Sequence, residues 1–311
     1  MTVHQETPPT ATALPAPPTT EPRESPFGRD PSFVARSLNV SKRAVRYFSP
    51  EVRGLENVPA TGPALLVGNH SGLMYLPDFW VALDAVTQRR GTDTPVYMLT
   101  YDLLMRVPGL RTLLGRLGAI PASPSNGETG LRRGAAVIVY PGGDWEACRS
   151  WRERDVIDFH DHKGFVRLAL RTGVPVIPMV AHGVQHAVPV IARGDRVARA
   201  LQLPRTPLRM NVLPLVIGPP LGIAHLPLAA PIPMPSRITL EFLPALDWMD
   251  RDPAQADDEA VVDARYTETL TTMRAALERL RAGTPHPLLT GTGQLLRELE
   301  HGMLQAARRL V

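Results

Sequence analysis

The sequence predicts an α/β fold: a mixed, largely buried β-sheet covered by helices. Three observations carry this. Short apolar runs bounded by Gly and Pro recur along the chain, at Ala64–Val67, Ala135–Tyr140, Val174–Val180 and Ile238–Leu243. These runs are apolar without a break, as strands buried on both faces are. Helical patterns lie between them, most clearly at Gly164–Arg171 and Asp257–Arg281, and alternation of strand and helix is the mark of this class.

In chain order, residues 1–31 are dominated by Pro and Thr and lack the apolar content for a core, so they are expected to be disordered. Residues 32–48 form a basic amphipathic helix: Phe33, Val34, Leu38, Val45 and Phe48 recur at near-helical spacing, and Arg36, Lys42, Arg43 and Arg46 interleave with no acidic residue. Such a helix suits a membrane surface, or equally a docked position on the domain itself. A globular domain is expected over 49–282. It opens with the turn-rich Val52–Pro59 and the strand Ala64–Val67, followed by a helix from Pro77 to about Thr87, with Pro77 suited to its first turn. Residues 211–235 are almost wholly apolar and so rich in Pro that a regular helix is forbidden, which leaves a hydrophobic loop against acyl chains or a bilayer, or a buried irregular segment. Residues 283–311 form a C-terminal amphipathic tail, helical from roughly 292.

With 311 residues the chain has enough length for one domain of roughly 250 residues plus tails. Aromatic residues at 5% are too sparse for base-stacking platforms, and a net charge of +4 does not argue for nucleic acid. That modest excess suits an anionic membrane surface or substrate instead. The lone Cys148 precludes an internal disulfide and a cysteine-based metal site, in keeping with a reducing cytosol. No signal peptide is apparent, and no run of about 18 apolar residues reads as a spanning helix. Membrane contact is therefore expected to be peripheral or monotopic, at the cytoplasmic face.

The chemistry centres on His70. A histidine at the end of a strand, followed by the turn Ser71-Gly72, is held by the sheet while its ring faces the crevice where such sheets bind ligands. Asp78, in the first turn of the next helix, is stabilised by the helix dipole and is placed to accept from one ring nitrogen. That bond would fix the tautomer and leave the other nitrogen to take a proton.

Around this pair, Asn69-His70-Ser71-Gly72 with Pro77-Asp78, preceded by Gly54-Leu55-Glu56-Asn57-Val58-Pro59, resembles the opening of the glycerophospholipid acyltransferase superfamily, whose signature is His-x4-Asp. Val139-Tyr140-Pro141-Gly142-Gly143 is similar to its third block and Val174-Pro175-Val176-Ile177-Pro178 to its fourth. Lys163-Gly164-Phe165-Val166-Arg167-Leu168-Ala169 is similar to a segment of the diacylglycerol and monoacylglycerol acyltransferase branch. The resemblance spans roughly residues 50–250 in consistent order. It implies direct O-acyl transfer from acyl-CoA or an acyl carrier protein to a lipid hydroxyl, with His70 as general base and Asp78 as its partner. It implies no cofactor and no metal. Asn69, Ser71, Gly72, Pro141, Gly142, Gly143, Lys163 and Arg167 would contact substrate.

Three departures narrow the expectation. The spacing here is His-x7-Asp, so the pair can meet only if residues 71–76 form a loop. The arginine of the family's second block is missing, with Gly118–Ser123 small in its place, and Pro-Glu-Gly of the third block is replaced by Pro141-Gly142-Gly143. Loss of that arginine and glutamate points to a lysophospholipid or partial glyceride acceptor. The alternatives are a 1-acylglycerol-3-phosphate acyltransferase, or a noncatalytic lipid-binding protein of the same fold.

Other residues yield less. Gly142 and Gly143 would let backbone N–H groups approach an oxyanion, or simply end a strand. Asp144 or Glu146 is a candidate for the missing carboxylate. Arg149, Arg152, Arg154, Lys163 and Arg167 form a basic region that would suit coenzyme A phosphates, or a solvated face. His182 and His186 have i,i+4 spacing but no third ligand. His160 and His162 are given no role, and Cys148 reads as a bystander.

Overall fold

The computed structural model describes residues 27–72, 77–106, 108–206, 211–226, 231–248 and 252–308. Most of the Pro/Thr-rich lead, residues 73–76 of the His–Asp interval, residues 227–230 of the Pro-rich stretch and the C-terminal Arg309 lie outside these.

The chain opens with α1 (Pro31–Arg46), β1 (Glu51–Arg53), β2 (Ala64–Gly68) and α2 (Pro77–Arg90). Then come β3 (Val96–Thr100), α3 (Asp102–Arg106), α4 (Pro108–Leu117), β4 (Ala119–Pro121) and α5 (Pro124–Arg132). β5 (Ala136–Val139), α6 (Gly143–Ala147), α7 (Gly164–Thr172), β6 (Val176–His182) and α8 (Val184–Ala187) carry the middle of the chain. β7 (Val190–Ala192), α9 (Asp195–Ala200), β8 (Leu215–Gly218), β9 (Gly222–His225), β10 (Thr239–Phe242), α10 (Glu259–Gly283) and α11 (Pro287–Arg308) complete it.

The main sheet has the order β1-β10-β6-β2-β5-β3-β4. β6, β2, β5, β3 and β4 run parallel; β10 is antiparallel to β6, and β1 is parallel to β10. The sheet is thus mixed, as expected. β2 lies between β5 and β6, so the three strand ends that open towards α2, α6 and α8 adjoin.

Period-two alternation divides the core into two layers. Leu66, Ile138, Ile177, Met179 and Ala181 face one side, with Val34 and Leu38 of α1 and Phe79, Ala82 and Val86 of α2. Leu65, Val67, Val137, Val176 and Val180 face the other, with Phe165, Val166 and Leu170 of α7 and the α10 stripe Val262, Leu270, Met273, Leu277 and Leu280. Helices therefore cover both faces.

Three expectations need correcting. The lead does not extend to residue 31: Phe27 packs edge-on against Tyr97, with ring centroids 5.1 Å apart, and Asp30 caps α1 through the Phe33 N–H while pairing with Arg116. The Pro-rich 211–235 is not irregular throughout. β8 and β9 pair as an antiparallel hairpin around a cis Pro219–Pro220 bond, and β7 pairs with β8 to form a separate three-stranded sheet. Proline forbids the helix but not a short strand whose turn it occupies. His182 and His186 do not share a helix: His182 ends β6 and His186 lies in α8, beyond Gly183.

Candidate active site

β2 delivers His70 to the carboxyl edge of the sheet. At its end Gly68 has no side chain because the Tyr140 ring fills that space; a Cβ would stand 2.7 Å from Tyr140 Cε1. Asn69 then continues the sheet with its side chain. Its Oδ1 accepts the Ala181 N–H at 2.8 Å and its Nδ2 donates to the Ala181 carbonyl at 3.0 Å, two bonds that tie the end of β2 to β6. Gly72, at φ +83°, turns the chain away where any Cβ would press on Pro77 and Val184. Asn69 and Gly72, expected at the substrate, thus hold the turn. Ser71 is fully buried, and its Oγ has no hydrogen-bond partner among the described residues.

The interval between His70 and Asp78 closes. His70 Nδ1 lies 3.2 Å from Asp78 Oδ2. The carboxylate accepts, so Nδ1 carries the proton and Nε2 of a neutral ring has its lone pair free. The same Asp78 oxygen accepts the Ser71 N–H at 3.1 Å, and Oδ1 accepts the Phe79 N–H at 2.9 Å in the first turn of α2. Burial disfavours the imidazolium and is the largest single influence on His70. The charge and hydrogen bond of Asp78 and the charge of Glu146 together outweigh it, so the His70 pKa stands above its ordinary value.

Glu146 is the residue that sequence reasoning only half found. It is almost fully buried on α6. Its Oε2 accepts the backbone N–H of His70 at 3.0 Å; its Oε1 accepts the Asp158 N–H at 3.2 Å and lies 3.3 Å from Arg149 Nη2. Burial pushes its pKa up to about 7, against the opposing pull of Arg149 and the two N–H groups. Gly142 makes room for it, since a Cβ there would collide with Glu146 Cγ.

Tyr140, which sequence reasoning missed as a site residue, lies against His70 with ring centroids 4.7 Å apart and planes tilted by 30°. Burial, and then the charge of Asp78, hold its phenol pKa well above the ordinary value, so it stays protonated. The signal for Tyr140 was its place at the end of β5, beside the end of β2.

The remaining candidates separate. Pro141 accepts a hydrogen bond from His162 Nδ1 at 2.9 Å, and the Gly143 N–H donates to the Tyr140 carbonyl at 3.1 Å, so that amide is already engaged. Arg149, expected in a phosphate-binding region, is instead buried against Glu146 and the Asp158 carbonyl. Lys163 bridges Asp161 at 3.0 Å and Asp263 at 2.7 Å, and Arg167 pairs with Glu259 at 2.6 Å and donates to the Ala256 carbonyl. A phosphate would have to compete with these carboxylates. His182 donates from Nε2 to the Thr284 carbonyl at 3.0 Å. Among the described residues no group of three or more His, Cys, Asp or Glu stands ready to hold a metal. Burial pushes the Cys148 thiol up to about 12, which leaves it unreactive.

Residues 49–182 match the family model described as Acyltransferase. An uncharacterized protein of Mycobacterium tuberculosis is 27% identical over 262 residues, covering 83% of this chain and 69% of that protein. The DGAT1/2-independent enzyme synthesizing storage lipids of Bos taurus is 27% identical over 231 residues, 74% of this chain and 64% of that enzyme. The crystal structure of the 1-acyl-sn-glycerophosphate acyltransferase PlsC from Thermotoga maritima superposes with a TM-score of 0.50 at 19% identity, over 80% of each chain, and so shares the fold.

Proposed function

We propose, from the premise that the chain belongs to the glycerophospholipid acyltransferase superfamily and is an acyltransferase of lipid metabolism, that His70 is the general base for acyl transfer to a lipid hydroxyl. The supporting observation is the 3.2 Å contact of His70 Nδ1 with Asp78 across a seven-residue interval. With Nδ1–H held by the carboxylate, Nε2 takes the proton of the acceptor hydroxyl as its oxygen attacks the thioester carbonyl carbon. The C–S bond breaks, and the thiolate leaves and takes up a proton. The donor is acyl-CoA or an acyl carrier protein, and no cofactor enters. Pro141–Gly143 border the acceptor.

The acceptor is a lysophospholipid or partial glyceride. The small residues at Gly118–Ser123 support this, as does the similarity to a storage-lipid enzyme. The protein works peripherally, at the cytoplasmic face of the membrane, and no described helix is long and apolar enough to cross one. An acyl-CoA transfer assay over lysophospholipids, monoacylglycerol, diacylglycerol and 1-acylglycerol-3-phosphate tests the whole reading. His70→Ala should abolish transfer, a loss of about 10²–10⁴-fold. Transfer at the wild-type rate in that variant would overturn the mechanism, and a preference for 1-acylglycerol-3-phosphate would overturn the acceptor.

A further inference from the structure

The three-stranded sheet β7–β9 has two unlike faces. Val190, Val216 and Ala224 point inward and join the core beside Ala181 and Val184. The alternate residues Ile191, Ile217 and Ile223 point outward; Ile217 and Ile223 are directly paired across the hairpin and are 42% and 62% exposed. Leu221 at the hairpin turn is exposed as well, and so are Val197 and Leu201 on and after α9, in the same stretch of chain. Arg196, Arg199 and Arg205 are exposed in the same stretch and have no carboxylate partner among the described residues, and Asp195 is its only acidic residue. Bare aliphatic side chains with exposed arginines in the same stretch of chain match the chemistry of a lipid surface, where chains insert at the acyl boundary and guanidinium groups meet anionic head groups. This sheet is also tied to the site: Arg193, just after β7, lies 3.4 Å over the ring of Trp145 in α6, and α8 leads from the turn at Gly72 directly into β7.

α1, the other basic amphipathic element, is differently placed. Val34 and Leu38 are buried against the body, Lys42 pairs with Asp84, and Arg116 stacks over Phe33. Its apolar stripe is already covered.

We propose that the outer face of β7–β9, with α9, is the surface by which this protein docks on a bilayer containing anionic lipid, bringing the His70 site to its acceptor. The proposal rests on the lipid acyltransferase reading for its purpose but not for its test. Full-length protein is floated with vesicles of phosphatidylcholine, with and without phosphatidylglycerol. Wild type should float with the anionic vesicles. Ile217→Ser with Ile223→Ser should lose at least tenfold in binding while keeping its melting temperature and its transfer to detergent-dispersed substrate. Arg196→Gln with Arg199→Gln should lose the preference for phosphatidylglycerol and the salt sensitivity, and Val40→Ser on α1 should change nothing. His70→Ala should float like wild type. Lost transfer with retained flotation therefore bears on the base alone, and unimpaired transfer in that variant overturns the mechanism without touching the surface. The docking proposal is overturned if wild type floats with neither vesicle, or if the isoleucine pair leaves flotation unchanged. It is also overturned if that pair converts a wild-type dimer to a monomer without altering flotation, which would assign the face to a second copy.

Discussion

At the scale of single residues, the site couples three ionisable groups of unequal role. On the proposed mechanism the neutral imidazole is the base, so kcat/KM should rise as pH passes upward through the His70 pKa, which Asp78 and Glu146 hold above its ordinary value. Asp78→Asn removes the charge that favours the imidazolium and leaves one accepting oxygen where the carboxylate offers two, for the His70 ring and Ser71 N–H on one side and the Phe79 N–H on the other. The acid limb of the profile should then move to lower pH while kcat falls about 10²–10⁴-fold, because the tautomer is no longer fixed. An acid limb that stays in place would show that Asp78 does not govern the titration. Glu146→Gln makes a different prediction. An amide has one accepting oxygen where the carboxylate offers two, so it serves either the His70 N–H or the Asp158 N–H and leaves Arg149 without its counter-charge. Displacement of His70 should lower kcat on the order of 10²-fold with KM little changed. A change confined to KM would place Glu146 with substrate binding instead.

His70 and Asp78 were legible in the sequence because both sit in a short segment at the start of recognisable elements. Tyr140 was not, and Glu146 only as one of two candidates with Asp144, since their closeness to His70 comes from the parallel pairing of β2 with β5, across some seventy residues of chain. No local spacing encodes that.

At the scale of elements, the buried strands β2, β5, β6 and β10 could be read from continuous apolar runs. β3, β4 and β7 could not. β4 and β7 are three-residue strands, too short for a pattern to register. The Pro-rich hairpin was masked by composition: its strands are only four residues each, and the prolines dominate the window. α6 is a five-residue helix that local pattern could not reveal, yet it carries Glu146. Its dependence on Gly142 is testable. Gly142→Ala should impair catalysis much as Glu146→Gln does, because the new methyl takes the space of Glu146 Cγ. A double-mutant cycle with Glu146→Ala should give a strongly sub-additive loss, since the two changes remove the same contact. Additive losses would mean that Gly142 acts independently.

At the scale of the whole molecule, the structure assigns different tasks to regions that look alike in sequence. Both α1 and the β7–β9 region are basic and apolar, and only burial separates them. Leu38→Ala should therefore act on stability, costing about 2–5 kcal/mol in a denaturant titration, with vesicle binding unchanged. Loss of binding without loss of stability would return α1 to the membrane. The general architecture was legible from alternation of strand and helix. The covering of α1 was not, because an amphipathic stripe reads the same whether protein or lipid lies against it.

The anchoring of His70 has a consequence for the interval that separates it from Asp78. Its place is fixed from outside its own loop: Asn69 is bonded to β6, the His70 amide to Glu146, and the Ser71 amide to Asp78. The count of residues between the histidine and its aspartate is then a free variable, and only the two endpoints are under geometric control. In this chain those three tethers hold the His–Asp pair across the seven-residue interval.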